Sequence, residues 1–393
     1  YLASDTSDAA AGTFGLTQQV LETLFVIFRV LAIGLGVVVT QLIGSGQPDA
    51  VKRTSYMALA ASTWAGLLAA SWLLFGKALT LDVLNAPAEV VPLAISYMLL
   101  LAPAMVLEAY NISMAAVLRA HLFARESLFI MIAMHGCHLL LAFVFMRGLG
   151  SWAGWGLNGY AVAFLLSRGL GLLLHLRFWQ RRMDLRPQLH HWWSLPMRTL
   201  GPVLRIGLPG AAQELGYRLA FMVSLSATAR RGVAALATHS YTLQTLKYVL
   251  LISMAIGWAC EIMVGRLVGA GRLREADQMV KKGVRNGMLA SGSLVLIAAL
   301  AAPWIMRAFT KDPAIIEAAQ TLLWISVAPE HGRVYNLVVI AALTSRCAAI
   351  SRAMRLTPPK PPSSGTTALP SSATASTGGS LSFSPSKAAK LRI

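Results

Sequence analysis

Residues 14–42 read FGLTQQVLETLFVIFRVLAIGLGVVVTQL, and within them only Glu22 and Arg29 ionise. A helix crossing a hydrocarbon layer of about 30 Å needs about 20 mostly apolar residues, because every backbone polar group must be satisfied inside the segment. The stretch is long enough to cross. Eight more of the same kind follow, at approximately 54–75, 92–118, 126–146, 157–177, 203–227, 238–268, 284–306 and 316–343, separated by connections carrying Gly, Pro or charge. The expected fold is therefore all-α, a polytopic membrane helix bundle with nine transmembrane helices. Composition agrees: 56% of the 393 residues are hydrophobic and 13% charged, against roughly 25% charged in soluble proteins. Cys137, Cys260 and Cys347 form no close pair, which excludes a disulfide framework or a Cys-based zinc site.

The formal charge is +18, from 34 Lys and Arg against 16 Asp and Glu. Its distribution decides its meaning. One set of alternate connections holds Lys52, Arg53, Arg119, Arg125, Arg177, Arg181, Arg182, Arg186, Arg198, Arg205, Arg266, Arg272, Arg274, Lys281, Lys282 and Arg285; the other holds only Lys77, Arg147, Arg230, Arg231, Arg307 and Lys311. This is the asymmetry of the positive-inside rule, so the richer set is expected in the cytoplasm of a protein of the inner membrane, with the connection 178–202 on the cytoplasmic side. Topology and anionic lipid account for the basic charge better than nucleic acid does. In that connection Trp192 and Trp193 read as interfacial anchors, and the adjacent His190 and His191 make a poor metal pair.

The chain repeats itself. At a shift of about 225 residues, Gln41-Leu-Ile-Gly44-Ser-Gly46 falls on Arg266-Leu-Val-Gly269-Ala-Gly271, Gln19 on Gln244, and Tyr110-Asn111 on Tyr335-Asn336. Two homologous lobes built as parallel repeats are a transporter architecture. The expected organisation is an N-terminal lobe at 1–177 with five helices, a linker at 178–202, and a C-terminal lobe at 203–346 with four. By that alignment a twelve-helix parent would have one more helix before residue 1 and two after residue 346. Residues 347–393, of which 21 of 47 are Ser, Thr or Pro, read as a disordered tail or the product of a reading-frame error. The opening Tyr1-Leu2-Ala3-Ser4-Asp5 has neither Met nor a basic stretch, so no cleavable signal peptide is expected.

Several motifs in this order resemble the multidrug and toxic compound extrusion family, usually called MATE. They are Thr40-Gln41-Leu-Ile-Gly44-Ser-Gly46, Arg205-Ile-Gly-Leu-Pro209 followed by Glu214, Val264-Gly265-Arg-Leu-Val-Gly269-Ala-Gly271 followed by Glu275-Ala276, and Gly332-Arg333-Val-Tyr-Asn336. The resemblance runs from residue 1 to about 343. It implies secondary active export of organic cations or other toxic compounds in exchange for Na⁺ or H⁺. Three departures accompany it: the family's acid-bearing first helix is not in the sequence, an aspartate found in some members' tenth helix falls on or near Arg333, and the family's Leu-Arg-Ala-x-Gly-Asp is replaced by Leu343-Thr344-Ser345-Arg346.

An ionisable side chain inside a bilayer costs at least about 2.5 to 3.5 kcal/mol on insertion scales, so each one invites an explanation. Glu214 lies just past Pro209 and, with the resemblance, is the first candidate for a coupling carboxylate whose charge an exported cation, Na⁺ or H⁺ can each satisfy. The structural alternative is an ion pair with Arg218 at i+4, with Tyr217 beside it. Glu261 is a second candidate, set against a rim salt bridge near Arg266. Lys247 is expected to pair with Glu214 or to snorkel. Glu22 and Arg29, seven residues apart on one face, favour a contact between lobes, and Glu330 and Arg333 a local pair. Asn111 and Asn336, at matched places, either line a cavity or join helices. His135 and His138 share a face and read as packing residues.

No nucleophile, His and acid constellation, nucleotide motif or metal motif is present in the sequence, so no enzyme reading survives and no cofactor beyond the coupling ion is expected. The leading expectation is an ion-coupled antiporter acting as a monomer in the lipid bilayer on small organic cations or drugs, with no nucleic acid partner. A lipid-linked sugar flippase of similar architecture, with Arg29, Arg168, Arg218, Lys247 and Arg333 as candidate phosphate ligands, is the alternative; a non-functional truncated transporter is the third reading.

Overall fold

The computed structural model describes residues 8–84, 86–148 and 152–356. Its elements run α1 (Asp8–Gly44), α2 (Pro48–Phe75), α3 (Lys77–Val83), α4 (Val91–Ala120), α5 (Ala124–Arg147), α6 (Gly156–Met183), a 3₁₀ turn (Leu189–Trp192), α7 (Met197–Ala229), α8 (Val233–Gly269), α9 (Leu273–Leu300), α10 (Ala302–Phe309) and α11 (Pro313–Leu356). The described residues contain no strand. Each of the nine expected spans falls on a long helix, with one break: Pro303 near the start of α10 divides 284–306 between α9 and α10, because proline has no N–H to continue the ladder. Residues 347–356, expected to open the tail, continue α11; the rest of the tail lies outside the described residues, as does the opening Tyr1–Asp5.

Seven of the helices are long and apolar enough to cross a membrane, namely α1, α2, α4, α5, α6, α8 and α9. The other two long ones, α7 and α11, are diluted by charge: Arg198, Arg205, Glu214 and Arg218 lie along the first, Glu317, Glu330 and Arg333 along the second.

The repeat extends to features the motifs did not announce. The short helices α3 and α10 occupy matched places after the long helices α2 and α9. Both α1 and α8 end in a turn completed by a left-handed glycine, Gly46 at φ +66° and Gly271 at φ +72°, a conformation that costs side-chain-bearing residues most. Pro48 then opens α2 with Asp49 in its first turn.

Packing follows the two halves. In the first, Leu35, Val38 and Val39 of α1 meet Met57 and Leu59 of α2, Met114 and Val117 of α4 and Trp179 of α6, and the cluster takes in Leu200 and Val203 of α7. In the second, Cys260, Val264 and Val268 of α8 pack on Ala276 of α9 and on Val334, Val338 and Ala342 of α11. Helix α1 touches both α7 and α8, so residues up to Met354 cluster as one unit; of the second unit, residues 355–393, only Arg355 and Leu356 are described.

Membrane helices gain little from the hydrophobic effect when they associate, so close backbone approach through small residues carries the packing. Two such crossings join the halves. A Cβ on Gly34 of α1 would strike the Val203 carbonyl of α7, and one on Gly207 of α7 would strike the Val30 carbonyl of α1. Nearer the end that bears most of the basic loops, a Cβ on Gly44 would strike the Arg266 carbonyl, and one on Gly269 the Gln41 carbonyl. Gln41 and Arg266 are matched in the repeat, as are Gly44 and Gly269, so each motif packs on its own counterpart. The glycines of each motif therefore divide their work: Gly46 and Gly271 cap, and Gly44 and Gly269 let the halves touch.

Candidate functional site

Above the α1–α7 crossing the two helices bring four ionisable side chains together. Glu22 and Arg29 are seven residues apart on α1, two turns along one face; Glu214 and Arg218 are one turn apart on α7. Arg29 Nη1 donates to Glu214 Oε1 and Arg29 Nη2 lies 3.5 Å from Glu22 Oε2. Arg218 Nη2 lies 3.1 Å from Glu22 Oε2 and 3.7 Å from Glu214 Oε1. Two carboxylates and two guanidinium groups thus alternate in a ring that spans the halves. Their side chains keep 29% to 40% of their surface exposed, so the protein covers the ring only in part. Two separate expectations meet here: Glu214 pairs with Arg218, its structural alternative, and the Glu22–Arg29 face makes the contact between lobes.

The other candidates are placed less alike than their motifs. Lys247 reaches Gln244 Oε1 at 3.4 Å rather than Glu214. Tyr217, beside Arg218 in sequence, is 59% exposed. Asn111 is buried, its Nδ2 donating to the Arg168 carbonyl at 3.0 Å and its Oδ1 facing His175 Nδ1 at 3.1 Å. Because that ring nitrogen also faces the Gly171 carbonyl, both neighbours are acceptors and Nδ1 carries the proton. Asn336, its repeat partner, is exposed on α11. The difference has a cause: α6 covers Asn111, and α6 has no counterpart among the described residues of the second half. Asn111 therefore joins helices.

Arg119 of the first half is the charged group that acts most on Glu261. Arg266, the partner expected for it, instead donates through Nε at 3.2 Å and Nη2 at 2.7 Å to the Ala120 carbonyl of α4. Gln41 Nε2 donates to the Ser345 carbonyl of α11. Gln41 matches Arg266 and Ala120 matches Ser345, so each half reaches over and bonds the equivalent carbonyl of the other. With Gly44 and Gly269 this forms a latch of swapped contacts.

Two buried charged sites were only partly legible. Glu108 of α4, which no motif marked, lies 2.6 Å from Arg168 Nε of α6, with side-chain exposures of 12% and 6%, and Arg168 stacks 4.1 Å above the Phe164 ring. The signal was available: one acid in the 92–118 span, Glu108, and one base in the interior of the 157–177 span, Arg168, the other, Arg177, standing at its end. Glu330, expected in a local pair, lies 3.0 Å from Arg333 and also accepts from Ser253 Oγ at 2.8 Å and Ser291 Oγ at 2.7 Å. It ties α11 to α8 and α9. His138 packs edge-on to Tyr160 and Phe164. Among the described residues no group of three or more His, Cys, Asp or Glu side chains could hold a metal ion.

The connection between the halves is shorter than the expected 178–202, running from Asp184 to Pro196 between helices. It docks on α2. Tyr56 stacks on His191 at 4.0 Å, Thr63 Oγ1 donates to the Trp192 carbonyl, Trp192 meets Tyr110 edge-on at 4.9 Å, and Trp64 Nε1 donates to the Trp193 carbonyl at 3.3 Å. Trp192 is therefore packed on protein, where an interfacial anchor was expected, while Trp193 stays 56% exposed.

The sequence profile of the MatE family matches residues 1–144 and 209–351, one stretch in each half. The chain is 24% identical over 340 residues to the uncharacterized transporter YisQ of Bacillus subtilis, covering 86% of this chain and 75% of that protein. It is 22% identical over 309 residues to the probable multidrug resistance protein NorM of Thermotoga maritima, covering 78% of this chain and 66% of that one. Among solved structures it superposes on the Vibrio cholerae MATE transporter VcmN in its bent form with a TM-score of 0.78 at 18% identity, over 90% of this chain and 80% of the other. An outward-facing multidrug resistance MATE family transporter gives 0.79 at 18% identity, over 90% and 78%.

Proposed function

Since the chain belongs to the MatE family of membrane transporters, we propose that it is a secondary active multidrug exporter, releasing organic cations or other toxic small molecules in exchange for Na⁺ or H⁺. The observation that carries this reading is the ring of Glu22, Arg29, Glu214 and Arg218: carboxylates held between two halves, in a partly exposed place inside a bundle of membrane helices. A carboxylate there takes up an exported cation, a proton or Na⁺ as alternative partners, and that competition couples the two fluxes. The basic loops face the cytoplasm of the inner membrane by the positive-inside rule. On that orientation the latch of Gln41, Gly44, Arg266 and Gly269 closes the cytoplasmic end, and alternating access requires it to part. A monomer suffices, with no cofactor besides the coupling ion.

Proteoliposomes preloaded with ethidium and given an inward H⁺ or Na⁺ gradient test the reading. Wild-type chain should release dye under one of the two gradients. Glu214→Gln should fold as wild type and lose gradient-driven release; undiminished release would remove Glu214 from the coupling site. The flippase alternative is weakened by the ring, which already neutralises Arg29 and Arg218, and by the burial of Arg168 against Glu108.

A further inference from the structure

Resting on the exporter reading, we propose that Arg29 is the resident cation of the carboxylate site, the group that an exported cation has to displace from Glu214 and Glu22. Four observations support it. The ring is balanced, two negative charges against two positive, so an arriving cation finds no free carboxylate unless a guanidinium leaves. Both arginines cross between the helices, but Arg29 of α1 is the one bonded directly to Glu214 of α7, lying also near Glu22 of its own helix, whereas Arg218 lies 3.7 Å from Glu214 and reaches across to Glu22 instead. Arg218 shares a helix with Glu214 and stays within one turn of it wherever α7 goes. The backbone beneath Arg29 is fixed, because Val30 and Gly34 are the residues that cross α7 at Gly207 and Val203; exchange is therefore a swing of the long Arg29 side chain, 29% exposed, rather than a movement of α1.

The consequence is a link between occupancy and the junction of the halves. While Arg29 holds Glu214, the two helices are tied above their crossing. When a cation takes Glu214, that tie is released, the Arg218–Glu22 contact is left as the remaining bond between the two helices, and Arg29 keeps only Glu22, which it shares with Arg218. A guanidinium is suited to this because it engages two carboxylates at once and never deprotonates, so it yields only to another cation or to protonation of its partner.

The test is binding of tetraphenylphosphonium to the purified full-length chain in detergent, with thermal unfolding followed in parallel. Arg29→Gln should tighten binding by about tenfold, since a competitor is gone, and Arg29→Lys should stay within about threefold of wild type because it keeps the charge. Glu22→Gln/Arg29→Gln remains charge-balanced, leaving Glu214 with Arg218, and should also tighten binding by about threefold or more; it carries the test if Arg29→Gln unfolds. Tetraphenylphosphonium bound by wild type, with no tightening in folded Arg29→Gln or in the folded double variant, overturns the proposal and leaves the exporter reading standing. Weaker binding by folded Arg29→Gln also overturns it, because Arg29 would then be holding the ligand. No binding by any of the chains strikes the exporter reading and takes this proposal with it.

Discussion

At the scale of single residues the charged side chains divide into buried ones that hold the fold and others that stay partly exposed. Glu108 and Arg168 are inside, and breaking a buried ion pair from one side leaves an uncompensated charge, at a cost of about 3 to 5 kcal/mol. Glu108→Ala should therefore lower the unfolding temperature in detergent steeply, while Glu108→Leu with Arg168→Met should come back close to wild type; equal losses in both would mean the pair is not the cause. Another residue gives a pH dependence. His121, just past the end of α4, is held below the usual imidazole value of 6.5 by burial and by the nearby Arg266, against the pull of the Val117 carbonyl. A histidine depressed in the folded state binds fewer protons there than in the unfolded chain. Its contribution to stability is complete above about pH 6.5 and falls as the pH drops below it. His121→Gln should flatten that acid limb in a thermal unfolding series between pH 5 and 8.

At the scale of helices, the contacts between α1, α7 and α8 depend on glycine. Gly44 and Gly269 sit where a Cβ meets backbone of the partner helix, whereas Gly36, on the same α1, has nothing within 4 Å of that position. Overpacking of this kind costs typically about 1 to 3 kcal/mol, and Ala for Gly in an unobstructed helix gains a few tenths to about 1. Gly44→Ala and Gly269→Ala should thus destabilise the latched state, while Gly36→Ala should be neutral or stabilising. Thermal unfolding of the three variants distinguishes a packing role from a capping role. The motif pair announced the repeat; that the two copies pack on each other could not be read from it, since spacing fixes which residues are equivalent and leaves open whether equivalent residues meet.

At the scale of the whole molecule, the swapped bonds of Gln41 to the Ser345 carbonyl and Arg266 to the Ala120 carbonyl hold the basic end shut. Removing both side chains should shift the population toward separation there. Spin labels at Gln47→Cys and Arg272→Cys, in a chain whose three native cysteines are serine, report it by electron double resonance: wild type should give a short, narrow distance, and Gln41→Ala/Arg266→Ala a longer or broader one. An unchanged distribution would show that the glycine crossings suffice without the latch.

The helical membrane class, the positions of the long helices and the repeat were all legible in the sequence, because hydrophobic run length and matched glycine, glutamine and Tyr-Asn positions act locally or by simple correspondence. The pairing of charges was legible only in part. Sequence spacing finds partners on one helix, such as Glu214 with Arg218 or Glu330 with Arg333, but Arg29 with Glu214 and Glu108 with Arg168 lie on different helices. It likewise made Asn111 and Asn336 equivalents, though one is buried and the other exposed, because burial depends on which helix lies across the residue. Local chemistry determined which segments enter the membrane; the crossing of α1 with α7 and α8 decided which of their charges meet and where the halves close.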